Sequence, residues 1–288
     1  MIYDCFIFFD ELDLLEIRLN VLNDSVDKFV LVEATKTHHG KDKPLHFLEN
    51  IARYSKFRDK IIHVVVDKYP DYHSKQPWVL ENYQRNMIMN GLKNCNANDV
   101  VMISDLDEIP NPEKITEYKS KPGIKIFRLK SFYYFINCIN VTNAGRYSWT
   151  GTAMVNYSDL TTPQDLRNVV IQMRDYYPER FLHRMRVKLW KFINVDLKGK
   201  KIFSVDNGGW HFSYLGGVDS IIKKLEAFAH TEYDKKEFKN TKSIEFAINN
   251  GKDIFGRKFS YKFVALDDSF PKFILMNKNK YSHLIKIL

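Results

Sequence analysis

Cysteine is scarce in this 288-residue chain: Cys5, Cys95 and Cys138 stand far apart, and no C-x-x-C pair occurs. That argues against a disulfide framework or a cysteine zinc site, and fits a reducing compartment or a fold that needs no bridges. Long apolar runs are also missing, since a membrane span needs about eighteen such residues in a row. The opening MIYDCFIFFDEL is apolar but lacks a basic leader and a small-residue cleavage site, so it reads as a first strand. The expectation is a soluble or cytoplasmic chain with no anchor, with peripheral membrane contact left open. Acidic residues are the minority, 35 against 44 Lys and Arg, for a net charge of +9. A basic surface suits anionic small molecules, nucleic acid or anionic membranes, or is simply a solvated lysine-rich face. No RNP-like, helix-turn-helix or zinc-finger pattern supports nucleic acid. Repeats, long linkers and low-complexity tracts are absent too, so one domain with a C-terminal extension is expected.

What is present is an ordinary globular composition, 44% hydrophobic and 27% charged. The first half alternates. Residues 3–9, 27–34 and 61–66 form apolar or β-branched runs, expected as buried strands. Between them, 11–22 sets Leu12, Leu15, Leu19 and Leu22 on one helical face, 47–57 suits a short helix, and 78–92 a longer one. Such alternation predicts a parallel α/β sheet with its ligand crevice at the carboxyl ends of the strands. Glu33 and Asp105 both end strands, and are expected to face that one crevice. The second half reads as one long or two shorter strands at 124–141, further strands at 148–157 and 202–205, helices at 165–176, 178–186 and 219–230, and a Gly-flanked aromatic segment at 208–217.

The most informative stretch is residues 99–110, DVVMISDLDEIP. A buried strand ends in Asp105 and Asp107, and Ile109-Pro110 and Asn111-Pro112 turn the chain. Alternate strand residues face opposite ways, so the two acids can share one ion only if the strand ends between them. Hard cations such as Mn2+ or Mg2+ take such oxygen ligands and bridge them to phosphates. The alternative is a pair of solvated acids capping the next helix.

Other candidates carry alternatives of their own. Glu33 can hold a base N–H or a ribose hydroxyl, or be a loop acid. His38 and His39 sit beside Lys41 and Lys43 in a polar loop that suits phosphate better than a His-metal site. Arg85 can pair with a diphosphate through its fork, or with Glu81 four residues earlier. Trp210 and His211 lie between Gly-Gly pairs that let backbone approach a ligand. Imidazole suits a third metal position or a phosphate, though a lone histidine is as readily structural. Phe132, Tyr133, Tyr134, Phe135 and Trp149 can stack on sugars or fill the core.

Together the stretches ELDLLEIRLNVL (11–22), VDKFVLVEATKTHHGKDKPL (26–45), ENYQRN (81–86), DVVMISDLDEIP (99–110) and GGWHFSYLGG (208–217) resemble the family 17 glycosyltransferases, over residues 1–230. The resemblance implies a GT-A-like, Rossmann-like mixed sheet flanked by helices, a UDP-sugar donor (UDP-GlcNAc), Mn2+ or Mg2+, and inversion at the anomeric carbon. It divides the single domain, 1–288, into a nucleotide-binding half (1–110), an acceptor half (111–230) and an extension (231–288). Carried onto this chain, Asp105 and Asp107 are metal and ribose ligands, His211 completes the metal or phosphate site, Arg85 faces the diphosphate and Glu33 the uridine. Lys43 and Trp210 join the donor site. The partners are then a nucleotide sugar and a glycan acceptor. Inversion requires one carboxylate base and no covalent intermediate. Glu108 is the first choice, with Glu179, Asp206 and Glu232 behind it. A metal-dependent nucleotidyltransferase and a non-catalytic glycan-binding protein remain open.

Overall fold

The computed structural model describes residues 1–72, 76–142, 148–174, 181–194, 199–229, 233 and 235–288. Four parallel strands form one half of a mixed sheet: β1 (Ile2–Phe8), β2 (Lys28–Ala34), β3 (Ile61–Val66) and β4 (Val100–Asp105), in the order β3-β2-β1-β4. The sheet continues through β8 (Ser148–Asn156), antiparallel to β4, then β6 (Ile124–Tyr133), β7 (Cys138–Asn140) and β10 (Tyr261–Phe263). A short β5 (Glu108–Pro110) pairs with β9 (Ile202–Ser213), which runs parallel to β6. The expected mixed α/β sheet is therefore present, but only its first half is parallel.

Period-two alternation splits the core into two layers. On one face Phe6, Phe8, Leu31 and Met102 pack with α1 (Leu12–Leu22) and α10 (Lys272–Met276). On the other, Cys5, Val30, Val32 and Ile103 pack with Ile88 and Leu92, and with Leu166 and Val170 of α6 (Pro163–Gln172). Leu15, Ile17, Leu19 and Leu22 of α1 are fully buried, each contributing about 1.5–3 kcal/mol of apolar burial.

Several elements depart from the sequence reading. The expected helix at 78–92 is two, α3 (Pro77–Asn86) and α4 (Ile88–Gly91), interrupted at Met87, whose N–H is shared by the Tyr83 and Gln84 carbonyls. The helix expected at 47–57 is a single turn, α2 (His46–Glu49), followed by a 3-10 segment, Ile51–Phe57. The 124–141 run takes the second of its two readings, as the separate strands β6 and β7. The Gly-flanked segment continues β9 as one strand of 12 residues. Between β5 and β9, α5 (Pro112–Tyr118) is capped by Asn111. Later helices are α7 (Phe181–Asn194), α8 (Gly217–Ala227) and α9 (Thr241–Asn249). The helices expected at 165–176, 178–186 and 219–230 run partly outside the described residues.

Candidate active site

The carboxyl end of β4 is a clamped turn. Arg18 of α1 is fully buried and paired with Asp4 of β1 at 2.6 Å. Its guanidinium donates to the carbonyls of Asp105 (2.9 Å), Leu106 (3.0 Å) and Glu108 (2.9 Å), and to Ser104 Oγ (2.5 Å). From the other side, Phe212 N–H donates to the Asp107 carbonyl at 2.9 Å. The turn is thus held by one guanidinium and by β9, and its two carboxylates project in fixed directions.

Asp105 turns toward two arginines. Arg85 of α3 donates to Oδ1 at 3.0 Å, and Arg167 of α6 donates to Oδ2. Burial alone would raise the Asp105 carboxyl. The Arg167 and Arg85 charges outweigh it and bring the pKa down to about 2. Arg85 also donates to Glu81 (2.7 Å) and Gln164 (2.6 Å), so the i,i+4 pair with Glu81 is present but buried, the arginine being 2% exposed.

Asp107 turns the other way, with Oδ1 3.6 Å from His211 Nε2 and Oδ2 accepting from Lys224 of α8 at 3.2 Å. Burial again opposes ionisation, and Lys224 and His211 override it, holding Asp107 well below the usual carboxylate range. His211 reaches Asp107 because β5 and β9 set Glu108 and His211 opposite each other in register. Its ring stacks on Trp149, centroids 4.3 Å apart. The buried His211 Nδ1 has no hydrogen-bond partner among the described residues.

Glu108 has a different place from the one expected of a base. It is fully buried, and its oxygens accept from Arg167 in a fork (2.8 and 2.9 Å), from Trp149 Nε1 (2.6 Å) and from the Asp105 N–H (3.1 Å). A general base needs a lone pair facing its substrate, and Glu108 keeps none free. It positions Arg167 and the turn instead. Gly151 of β8 makes the room: a Cβ there would lie 2.8 Å from the Glu108 carboxyl carbon.

Glu33 is also corrected. Alternation sends Glu33 to the α1 face of the sheet and Asp105 to the α6 face, so they do not share a crevice. Glu33 is fully buried, accepts from the Phe47 N–H (2.9 Å) and meets His63 Nε2 at 3.1 Å. It anchors α2. Lys43 lies on that side, 3.8 Å from Glu33 and donating to the Pro44 carbonyl at 3.1 Å. Trp210 faces the main core, 9% exposed, and its indole donates to the Ser269 carbonyl at 2.9 Å. Neither glutamate nor indole presents a free surface to a donor. His38 does border the site, 3.1 Å from Gln84 and 3.7 Å from Glu81, and burial lowers its pKa. Phe132, Tyr133 and Tyr134 are core. Asp206 is exposed beside Arg128, five residues before His211 on β9, a span of about 16 Å for extended chain. Glu179 and Glu232 lie outside the described residues.

Sequence reasoning missed Arg18, Arg167, Lys224 and Glu11. Glu11, just after β1, is partly exposed, with Oε1 3.4 Å from Lys224 Nζ. Burial raises its carboxyl despite Lys224. A motif search for helix-borne cations facing β4 has no local signal to use, because their partners lie far away in the chain.

Among the described residues, no three His, Cys, Asp or Glu side chains converge as a metal site. Asp107 and His211 nonetheless bring a carboxylate oxygen and an imidazole nitrogen together, a mixed donor pair that suits Mn2+ better than the all-oxygen preference of Mg2+. Asp105 has both oxygens in contact with guanidinium groups, and fits that role less well.

A mixed α/β sheet with a cluster of charged side chains where its parallel strands end is consistent with a GT-A-like fold. A model of glycosyltransferase family 17 matches residues 1–173, and the chain belongs to that family. It is 23% identical to the β-1,4-mannosyl-glycoprotein 4-β-N-acetylglucosaminyltransferases of Rattus norvegicus and Homo sapiens, over 96% of this chain and 53% of each relative. The chain therefore spans about half the length of those relatives.

Proposed function

We propose that the protein is a metal-dependent inverting glycosyltransferase that moves a sugar, N-acetylglucosamine, from a UDP-sugar to a glycan hydroxyl. The observation that carries this reading is the fixed turn at β4, with Asp107 against His211 and Lys224 in a chain of this family. Asp107 and His211 would hold the cation. When bound, that ion neutralises charge on the departing nucleotide diphosphate. Lys224 and Arg85 stand beside the two aspartates and supply further positive charge for an anionic donor. Their present partners are carboxylates, which a diphosphate would compete with.

The base we assign is Glu11. It keeps an exposed edge at this mouth, and a carboxyl raised by burial accepts a proton from an attacking hydroxyl more readily than one held low. Glu108 holds Arg167 and the β4 turn in place.

The test is a panel of nucleotide sugars assayed for UDP or GDP release with and without Mn2+. UDP-N-acetylglucosamine is expected to be the donor, with release lost on chelation and in Asp107→Asn. Pyrophosphate as product would assign the site to nucleotidyl transfer. Glycan binding with no nucleotide release from any donor would make the chain a binding protein.

A further inference from the structure

The crevice leaves α7 unexplained. At 100° per residue, Leu182, Met185, Leu189, Phe192 and Ile193 fall in one stripe about 100° wide. An amphipathic helix on a globular protein normally turns such a stripe inward. Here the stripe faces out: Leu182 is 80% exposed, Leu189 60%, Phe192 53%, Met185 51% and Ile193 49%. Val187, Trp190 and Lys191, on the opposite side of the helix, are less exposed.

Charge identifies what covers this face. Exposed Arg186 and Lys188 border the stripe on its two sides, and residues 181–194 include no Asp or Glu. A second copy would bring the same cations against each other. An apolar stripe edged by cations matches the boundary between acyl chains and acidic headgroups. We propose that α7 lies flat on an anionic lipid surface, its stripe at the headgroup boundary, with Arg186 and Lys188 meeting lipid phosphates. The inference does not depend on the proposed activity, in which none of these residues has a role.

The full chain is tested by flotation with vesicles of phosphatidylglycerol and phosphatidylcholine, against phosphatidylcholine alone. Binding is expected to the anionic vesicles, and to fall with added salt. Two variants, Leu182→Ser/Leu189→Ser and Arg186→Glu/Lys188→Glu, are expected to bind about tenfold more weakly or less. Because all four positions are exposed, both variants should melt with the parent, which separates lost binding from lost fold. Equal binding by parent and variants, or none to anionic vesicles, overturns the proposal. So does a concentration-dependent dimer in sedimentation that Leu182→Ser/Leu189→Ser abolishes, since that gives the stripe to a second copy.

Discussion

At the scale of single residues, the two aspartates of the β4 turn do separate jobs, and substitutions should separate them. Asp107→Asn leaves a neutral side chain of the same shape beside His211 and Lys224. Metal-dependent nucleotide release is expected to fall by about 10^3-fold or more, with the thermal midpoint lowered by the loss of Lys224's carboxylate partner but the chain still folded at the assay temperature, as activity and calorimetry on one preparation would show. A parallel loss of fold would make Asp107 structural. Arg167→Ala acts on stability. It strips the buried Glu108 of its forked partner, and an uncompensated buried charge costs about 3–5 kcal/mol. Urea unfolding should report that loss, and Arg167→Ala/Glu108→Gln should recover part of it. Asp105 and Asp107 were legible in the sequence because a strand, a turn and two prolines adjoin them. Arg167 was not, because Asp105 lies 62 residues away from it in the chain, nor was Arg18, which reaches Ser104 across 86. Local patterns show which residues end a strand, but not which distant cation meets them.

At the scale of elements, continuous apolar runs showed where β1 to β4 lie, since parallel strands are buried on both faces. It did not show which face a terminal residue takes. Glu33 and Asp105 both end strands, yet a one-residue difference in phase sends them to opposite layers. Glycine misled at β9 for a related reason. Gly209, at φ +136°, sits where a Cβ would come within 2.1 Å of the Ile109 carbonyl, so the close approach it permits is to β5 and not to a ligand. Lys125 shows how an element can carry a buried charge. Its side chain sits in β6 with Nζ donating to the Lys121 carbonyl at 2.8 Å, and burial lowers its pKa from 10.5 to about 8. Below about pH 8 the native state carries the full penalty of a charged, buried amine. Between about 8 and 10.5 the unfolded chain holds a proton that the native state has released, so stability rises with pH. Lys125→Met should therefore unfold at a higher urea concentration than the parent at pH 7. That gap should close as pH approaches 10.5; a gap of constant size would show that Lys125 titrates normally.

At the scale of the whole molecule, the family match stops at residue 173 while both the sheet and the crevice need later chain. His211 and Lys224 come from β9 and α8, and β9 is the partner of both β5 and β6. The last residues are bound in as well: Phe270, Ile274, Tyr281 and Leu284 lie in the core layer of α1, with His283 meeting Asp13 at 2.8 Å. Four such buried side chains contribute about 6–12 kcal/mol at roughly 1.5–3 each, on the order of the entire stability of a typical domain. A chain ending at 264 is therefore expected to lose cooperative unfolding even though every crevice residue named above remains in it. Circular dichroism melts would check this, and a sharp transition in that shortened chain would show that residues 265–288 only decorate α1. A fragment of residues 1–173 should fare worse, since β5 and β6 then lose β9 and the turn that carries Asp105 and Asp107 is held from one side only.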